Sequence, residues 1–298
     1  MKYNLARLAL FSSLFFTQPT TVSCQRNEKN EEYCLTGAYP SQKSSIPTKK
    51  ELEFIRAMKN LNLDCKNITS SKTEIKPKII YLDRLSKEEE LAGLRLIKQN
   101  IAPLILEDIM KNEGYAYKIT GYNAIKRFFE HLESEATKIY SNSRQDVIYK
   151  AKLEASFLRK VKKIFLNKTK LLQNNYSDIE LTIRSRSQRH QSRIHVHSLN
   201  DDINGRPVIV KGEIILGLGD PVTEFFNGNF TESSVQGSFT HSRYVDSVDS
   251  DLVKIPPGNI VGAHFCNPHQ SPPLEKQSPH GGLLLTLALV EHIKPENK

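Results

Sequence analysis

The chain of 298 residues has no tryptophan, three methionines and four cysteines. Without tryptophan, large aromatic packing falls to 13 phenylalanines and 11 tyrosines. No two cysteines form a C-x-x-C pair, which argues against a structural zinc site of the finger or ribbon type. No internal repeat is visible, so a solenoid or propeller is not indicated. Histidine is almost missing from the first 189 residues, which hold only His131. The longest apolar run near the N-terminus, Leu8 to Phe16, is too short to span a bilayer, which takes about 20 residues.

Charge is unevenly divided. The formal net charge is +9. Residues 178–298 hold 11 Lys/Arg against 14 Asp/Glu, whereas residues 1–177 hold 31 against 19. The N-terminal part is therefore strongly basic and the C-terminal part mildly acidic. A basic half can meet nucleic acid or an anionic membrane surface, although a solvated lysine-rich helical surface accounts for the same composition. No basic motif interleaved with aromatics is present, so nucleic acid is not an expected partner.

Residues 1–23 read as a signal peptide: Lys2 and Arg7 precede the apolar run, and a polar, small-residue stretch ends at Ser23. Cleavage there leaves Cys24 first, as in a lipoprotein, although Thr21 departs from the usual leucine. The expected location is secreted or periplasmic. Four cysteines permit three pairings. Cys34–Cys65 is the simplest, and Cys266 reads first as a buried apolar thiol, with a bond to Cys24 or a redox-active place beside a metal as the alternatives.

Residues 24–46 are polar and turn-rich and read as a flexible tether. From 47 to 175 the pattern is helical. Thr48 and Glu51 form one capping box, Ser86 and Glu89 another. Helical stripes follow around residues 52–61, 91–97, 101–110 and 123–139, and in a long lysine-rich stretch from Asp146 to Leu172. A short strand is expected at Lys78–Leu82, after a loop at 67–76. After Tyr176 the period changes. Short β-type runs punctuated by Gly and Pro continue to about residue 292, which argues for a sandwich or barrel. The expected class is α+β.

Eight of nine histidines fall after residue 189. Two of them, His195 and His197, flank Val196. On a strand, i and i+2 point to one face, about 6–7 Å apart along the backbone. His269, in a proline-rich segment, offers a third imidazole. Three protein ligands with an open position is the layout of a catalytic metal site, and imidazole suits iron and other divalent transition metals.

The segments Arg193-Ile194-His195-Val196-His197, Gly217 to Glu224, Pro257 to Ile260, His269 to Pro273 and Leu283 to Leu287 resemble an uncharacterised bacterial family similar to the 2-oxoglutarate/Fe(II)-dependent oxygenases. The resemblance covers about residues 178–290. It implies a double-stranded β-helix, the cupin-like jelly roll, over 176–292. It also implies a non-haem Fe(II)-dependent, dioxygenase-like oxidoreductase acting on a small molecule, with His195 as first metal ligand and His269 as distal ligand. The family's carboxylate position is His197 here, so the implied set is three histidines. Asp201 or Asp202 would need a turn to replace the carboxylate. The family's basic clamp for 2-oxoglutarate, commonly Arg, has no counterpart after His269. His280 and Lys276 stand there, and Arg184 and Arg193 are the other basic candidates, so the resemblance carries over the metal but not the use of 2-oxoglutarate. The competing expectation is a non-catalytic secreted or envelope binding protein with a degenerate cupin-like fold, touching membrane through Cys24 or the basic half.

Overall fold

The computed structural model describes residues 48–61, 70–111, 116–138, 145–172, 176–185, 193–197, 200–203, 206–219, 223–234, 242–271 and 282–293, together with Ile68 and two short strands within 24–34. Those two strands, β1 (Cys24–Arg26) and β2 (Glu32–Cys34), pair antiparallel with Cys24 opposite Cys34. They belong to a compact unit of residues 1–43, separate from the unit formed by 44–298. A strand pair thus stands inside the segment expected to be a structureless tether. The expected signal peptide lies outside the described residues.

The larger unit is mixed helix and sheet, with strands dominating its C-terminal part. Helix α1 (Lys49–Lys59) starts where the capping box predicts: Thr48 Oγ1 accepts from Glu51 N, and Glu51 reaches back to Thr48 N at 2.7 Å. Strands β3 (Thr73–Ile75) and β4 (Ile80–Arg84) follow. Helix α2 (Lys87–Lys111) opens on the second capping box, Ser86 N to Glu89 Oε2 at 2.7 Å and Glu89 N to Ser86 Oγ at 3.2 Å. It is one continuous helix where the sequence suggested two. At the expected break, Asn100 Nδ2 donates to Leu96 O at 2.7 Å, which keeps the side chain within the helical turn. Strand β5 (Ala116–Thr120) and helix α3 (Tyr122–Lys138) come next. Helix α4 (Gln145–Lys162) runs into a π-helical segment, Lys163–Lys168, so the expected single long helix changes its winding near its end. The π segment buries Ile164, Phe165 and Leu166.

The remaining strands are β6 (Asp178–Ser185), β7 (His195–His197), β8 (Asn200–Ile203), β9 (Arg206–Leu218), β10 (Glu224–Glu232), β11 (Ser242–Val253), β12 (Asn259–Ala263), β13 (His269–Gln270) and β14 (Leu283–His292). They form two sheets. The first runs β11-β7-β13-β10-β3, with β10 and β11 also paired as a hairpin. The second runs β4-β12-β9-β14-β6-β5, with β8 on β9. Strands from the helical half (β3, β4 and β5) extend both sheets, so backbone pairing crosses the line expected at residue 176.

The sheets meet in a cluster of Phe225, Ile255 and Phe265 with Ile215, Val261, Ala263 and Leu284. Helices cover the opposite face of the second sheet. Met58 and Leu61 of the α1 region lie against Gly212 and Gly262, where a Cβ would meet Met58 Sδ at 2.8 Å from Gly262. A separate cluster, Ile68, Ile75, Val196, Phe230 and Val245, closes the other face of the first sheet.

Helices α2 and α4 touch closely at Gly93. A Cβ there would lie 2.4 Å from the ring of Phe157, which is fully buried. Overpacking of this kind costs about 1–3 kcal/mol. Gly93→Ala should therefore lower stability by that amount in chemical denaturation, and Phe157→Leu in the same chain should recover part of the loss. An unchanged midpoint for Gly93→Ala would show that the helices do not cross there.

Candidate metal centre

The three histidines are brought together by strand register. His195 of β7 is opposite His269 of β13, and His269 is opposite Phe225 of β10. On the far side, His195 is opposite Tyr244 of β11. Cross-strand partners present their side chains to one face, so Tyr244, His195, His269 and Phe225 form a lateral row. His197 joins them by the i, i+2 rule, while Val196 points into the cluster on the other face. The ring centroids lie 4.3 Å apart for His195–His269, 4.9 Å for His197–His269 and 5.2 Å for His195–His197. One ligating nitrogen from each ring falls within 4.8 Å of the others. Bonds of about 2.0–2.1 Å to a common ion would set such nitrogens about 3–3.5 Å apart, a spacing that small ring rotations reach.

The tautomers suit ligation. His269 Nδ1 donates to Asn267 O at 2.8 Å, and His195 Nδ1 donates to Arg193 O at 2.8 Å. Each ring gives its Nδ1 proton to the carbonyl two residues earlier, which leaves Nε2 with a free lone pair. Such partners fix ring orientation in metal sites. Burial disfavours charge on His269 most, and the neighbouring His195 and His197 and then Arg184 add to it, so its pKa lies well below the usual histidine range. His195 is lowered for the same leading reason, burial, with Arg184 contributing. His195 and His269 are therefore held as neutral imidazoles, the form that binds a cation.

Aromatic rings wall the site. Phe265 lies 4.7 Å from His269 and 5.6 Å from His197, and it stacks on Phe225 at 6.0 Å. The loop that carries Phe265 and leads to His269 is tied at nearly every residue. Phe265 N donates to the buried carboxylate of Glu213 at 2.8 Å, and Phe265 O accepts from His197 N at 2.9 Å. His264, 1% exposed, bonds Val210 O through Nε2 at 3.1 Å and accepts from Cys266 N at its Nδ1 at 3.0 Å. Asn267 Nδ2 donates to His264 O at 3.0 Å, and Phe226 N donates to Pro268 O at 3.0 Å. Cys266 is disulfide-bonded, which corrects the buried-thiol expectation.

Of the basic candidates, Arg184 is the one whose charge is felt by His195 and His269. It pairs across from Leu284, a member of the cluster between the sheets, so it extends from the face that looks toward the histidines. Arg193 turns elsewhere: its guanidinium lies 5.8 Å over the Tyr244 ring and 3.9 Å from Asp246. His280 and Lys276 lie outside the described residues. Asp201 and Asp202 are on β8, which extends the second sheet beside β9 rather than the sheet that carries the histidines. Among the described residues, no carboxylate belongs to the metal-spaced group.

Glu213 and His264 escaped the sequence reading. Glu213 is one glutamate in a strand pattern that reads Lys211-Gly212-Glu213-Ile214, and its partner is 52 residues away. The available signal was weak: a charged residue at a position that alternation assigns to the buried face.

No protein-family model matches the chain, and no curated protein matches it. Among solved structures, the chain is similar to a crystal structure of a Pseudomonas putida prolyl-4-hydroxylase, with 12% identity and a TM-score of 0.30 over 80% of this chain and 98% of that one. The likeness is distant, and the chemistry of the site rests on the three imidazoles alone.

Glu213→Ala should leave the Phe265 amide buried without an acceptor, at a cost of about 1–3 kcal/mol. Glu213→Gln keeps an oxygen in place and should recover most of that loss in urea unfolding. Equal midpoints for both variants would show that the hydrogen bond is not the source. In metal-free protein, His195, His264 and His269 all have pKa values lowered by burial. The unfolded chain therefore takes up protons below about pH 6.5 that the folded chain refuses. Stability is full above that pH and falls as pH drops through it. Unfolding at pH 7.5 and 5.5 in the presence of chelator should show the loss, and a flat profile would mean that the rings are not buried neutral.

Proposed function

We propose that this chain is a metal-binding protein of the non-haem iron oxygenase type, with Fe(II) held by His195, His197 and His269 inside a jelly roll spanning about residues 176–292. The observation that carries this reading is the meeting of three ligating nitrogens within 4.8 Å, from two strands 74 positions apart in the chain at their paired histidines, with two rings holding Nδ1 protonated toward a backbone carbonyl. Two facing sheets with a shared aromatic core support the jelly-roll description.

When bound, Fe(II) with open positions supplies the capacity to bring oxygen and an organic substrate together for oxidation. The chain's own residues do the rest. The carbonyls of Arg193 and Asn267 hold the protons that keep Nε2 open. Phe225 and Phe265 limit water on the inner side. Arg184 presents positive charge toward the centre and is the group we assign to an anionic part of a substrate or co-substrate. Whether that anion is 2-oxoglutarate depends on a single exposed arginine, so a different acid is equally accommodated. The helical region 47–175 braces the sheet on its other face. An N-terminal segment of signal type supports export.

Titration of chelated, purified protein with Fe(II) under anaerobic conditions, or with Co(II) followed by its visible absorption, should give one ion per chain. His269→Ala should lower affinity at least a hundredfold, since the ligand at the centre of the row is gone. A wild-type protein that binds neither ion would end the proposal.

A further inference from the structure

Helices α2 and α4 carry a second feature, on the surface formed by their outward ridges. Lys152, Arg159 and Lys163 are all exposed. Their spacing, seven and then four residues, aligns them along one side of the helical run. The opposite side is fully buried through Phe157, Leu158, Val161, Ile164 and Phe165. On α2, Arg95 is also exposed.

Of the acids on α2 and α4 whose side chains are described, most are turned inward, and Glu133 of α3 stands half-exposed against Lys162. Glu89 is buried and takes Ser156 Oγ at 2.6 Å and Lys160 Nζ at 2.7 Å. Glu90 is buried and takes Gly219 N at 2.8 Å and Lys87. Glu154 is 6% exposed, lies beneath the surface and feels Arg95 and Lys150. Glu88, in the first turn of α2, is the acid left outside. Other cations have found partners: Lys162 pairs with Glu133, Lys168 lies over Phe54 and Lys170 over Tyr122. Among the described residues, Lys152, Arg159 and Lys163 have no ion pair. The fold has thus sorted its charges, with carboxylates spent on helix docking and a row of cations left facing out.

Two exposed apolar or phenolic side chains stand on the same helices, Tyr149 at 58% one turn before Lys152 on α4 and Leu91 at 43% one turn before Arg95 on α2. A helical ridge bearing Lys and Arg together with an exposed leucine and tyrosine suits the headgroup region of a bilayer. There basic side chains meet anionic lipid, and the apolar and phenolic groups reach the acyl boundary. A nucleic-acid duplex would instead ask for side chains that enter a groove or follow a backbone.

We propose that the exposed ridge of α4 and its π-helical extension, flanked by α2, is a peripheral docking surface for anionic phospholipid membranes. This surface is independent of the metal centre.

The test is co-sedimentation of the full chain with vesicles at 150 mM salt. Phosphatidylcholine vesicles containing 30% phosphatidylserine should retain the protein, and pure phosphatidylcholine should not. The triple variant Lys152→Glu, Arg159→Glu, Lys163→Glu should partition about a hundredfold more weakly, taking roughly fivefold per basic residue. Lys254→Glu, on the segment after β11, should bind as wild type. Circular dichroism of the triple variant checks that its helices remain. If that variant is unfolded, the single variants should each weaken binding by roughly the per-residue factor. Binding to both vesicle types alike, binding to neither, or a triple variant equal to wild type would overturn the proposal. Retention on duplex DNA without retention on phosphatidylserine would overturn it in favour of nucleic acid.

Discussion

Everything at the candidate centre depends on one short piece of backbone pairing. Strand β13 is two residues long, His269 and Gln270, and it lies between β7 and β10. Through that insertion His269 comes opposite His195 on one side and Phe225 on the other. A slip of one residue would turn His269 to the other face of the sheet, where Val196, Phe230 and Val245 form an apolar cluster. The register is guarded from both faces at once. Gln270 Nε2 donates to Glu224 Oε2 at 2.9 Å on one, and the rings of Phe225 and Phe265 enclose His269 on the other.

Two residues cannot hold a strand by ladder hydrogen bonds alone, so the loop before β13 carries the load. Its amides and carbonyls are bonded by groups from three separate elements, Glu213 of β9, His197 of β7 and Phe226 of β10, and the His264 ring donates to Val210 O of β9. His264 serves both ends, donating through one nitrogen and accepting through the other. A buried, hydrogen-bonded polar network specifies one arrangement more sharply than apolar packing can, because each broken bond leaves a desolvated group. The use of a carboxylate and an imidazole inside this loop follows from that need. It also explains why these two polar residues, without a ligating role, are both buried beside the site.

Much of this was readable from sequence where local rules act. Both capping boxes appear with the expected hydrogen bonds, because they involve residues three apart. The alternation His-Val-His gave the facing of the two imidazoles, because strand geometry leaves no other choice. What was not readable is set by distant partners. Strand β5 has only its own five residues to announce it, and it forms because β6 offers an open edge. The long β10–β11 hairpin announces itself weakly. Its middle, around Asn227 to Glu232 and Ser242 to Asp251, is mostly polar, with Phe230 and Val245 turned to the apolar cluster on one face, so hydrophobic alternation is weak. The switch of α4 into a π-helix adds no pattern to the sequence that a helical period would reveal. Of the four basic residues named near the histidines, Arg184 and Arg193 differ in outcome because one lies on β6 in the second sheet and the other just before β7 of the first, a fact of topology that spacing does not encode.

The charge balance at the centre carries the reasoning one step further. Two histidines and a carboxylate leave a divalent ion with a net charge near +1, whereas three neutral imidazoles leave it at +2. Here the nearest charged side chain that the histidines feel is also positive, Arg184. An ion bound in this setting would have no anionic neighbour among the described members of its group to offset it. Electrostatics then disfavours the empty-handed ion and favours one that arrives with, or promptly acquires, an anionic ligand. In such a site the anion is part of what makes the metal bind. Metal affinity and acid binding would be coupled, each raising the other by the same factor, and the arginine on β6 would set how strongly.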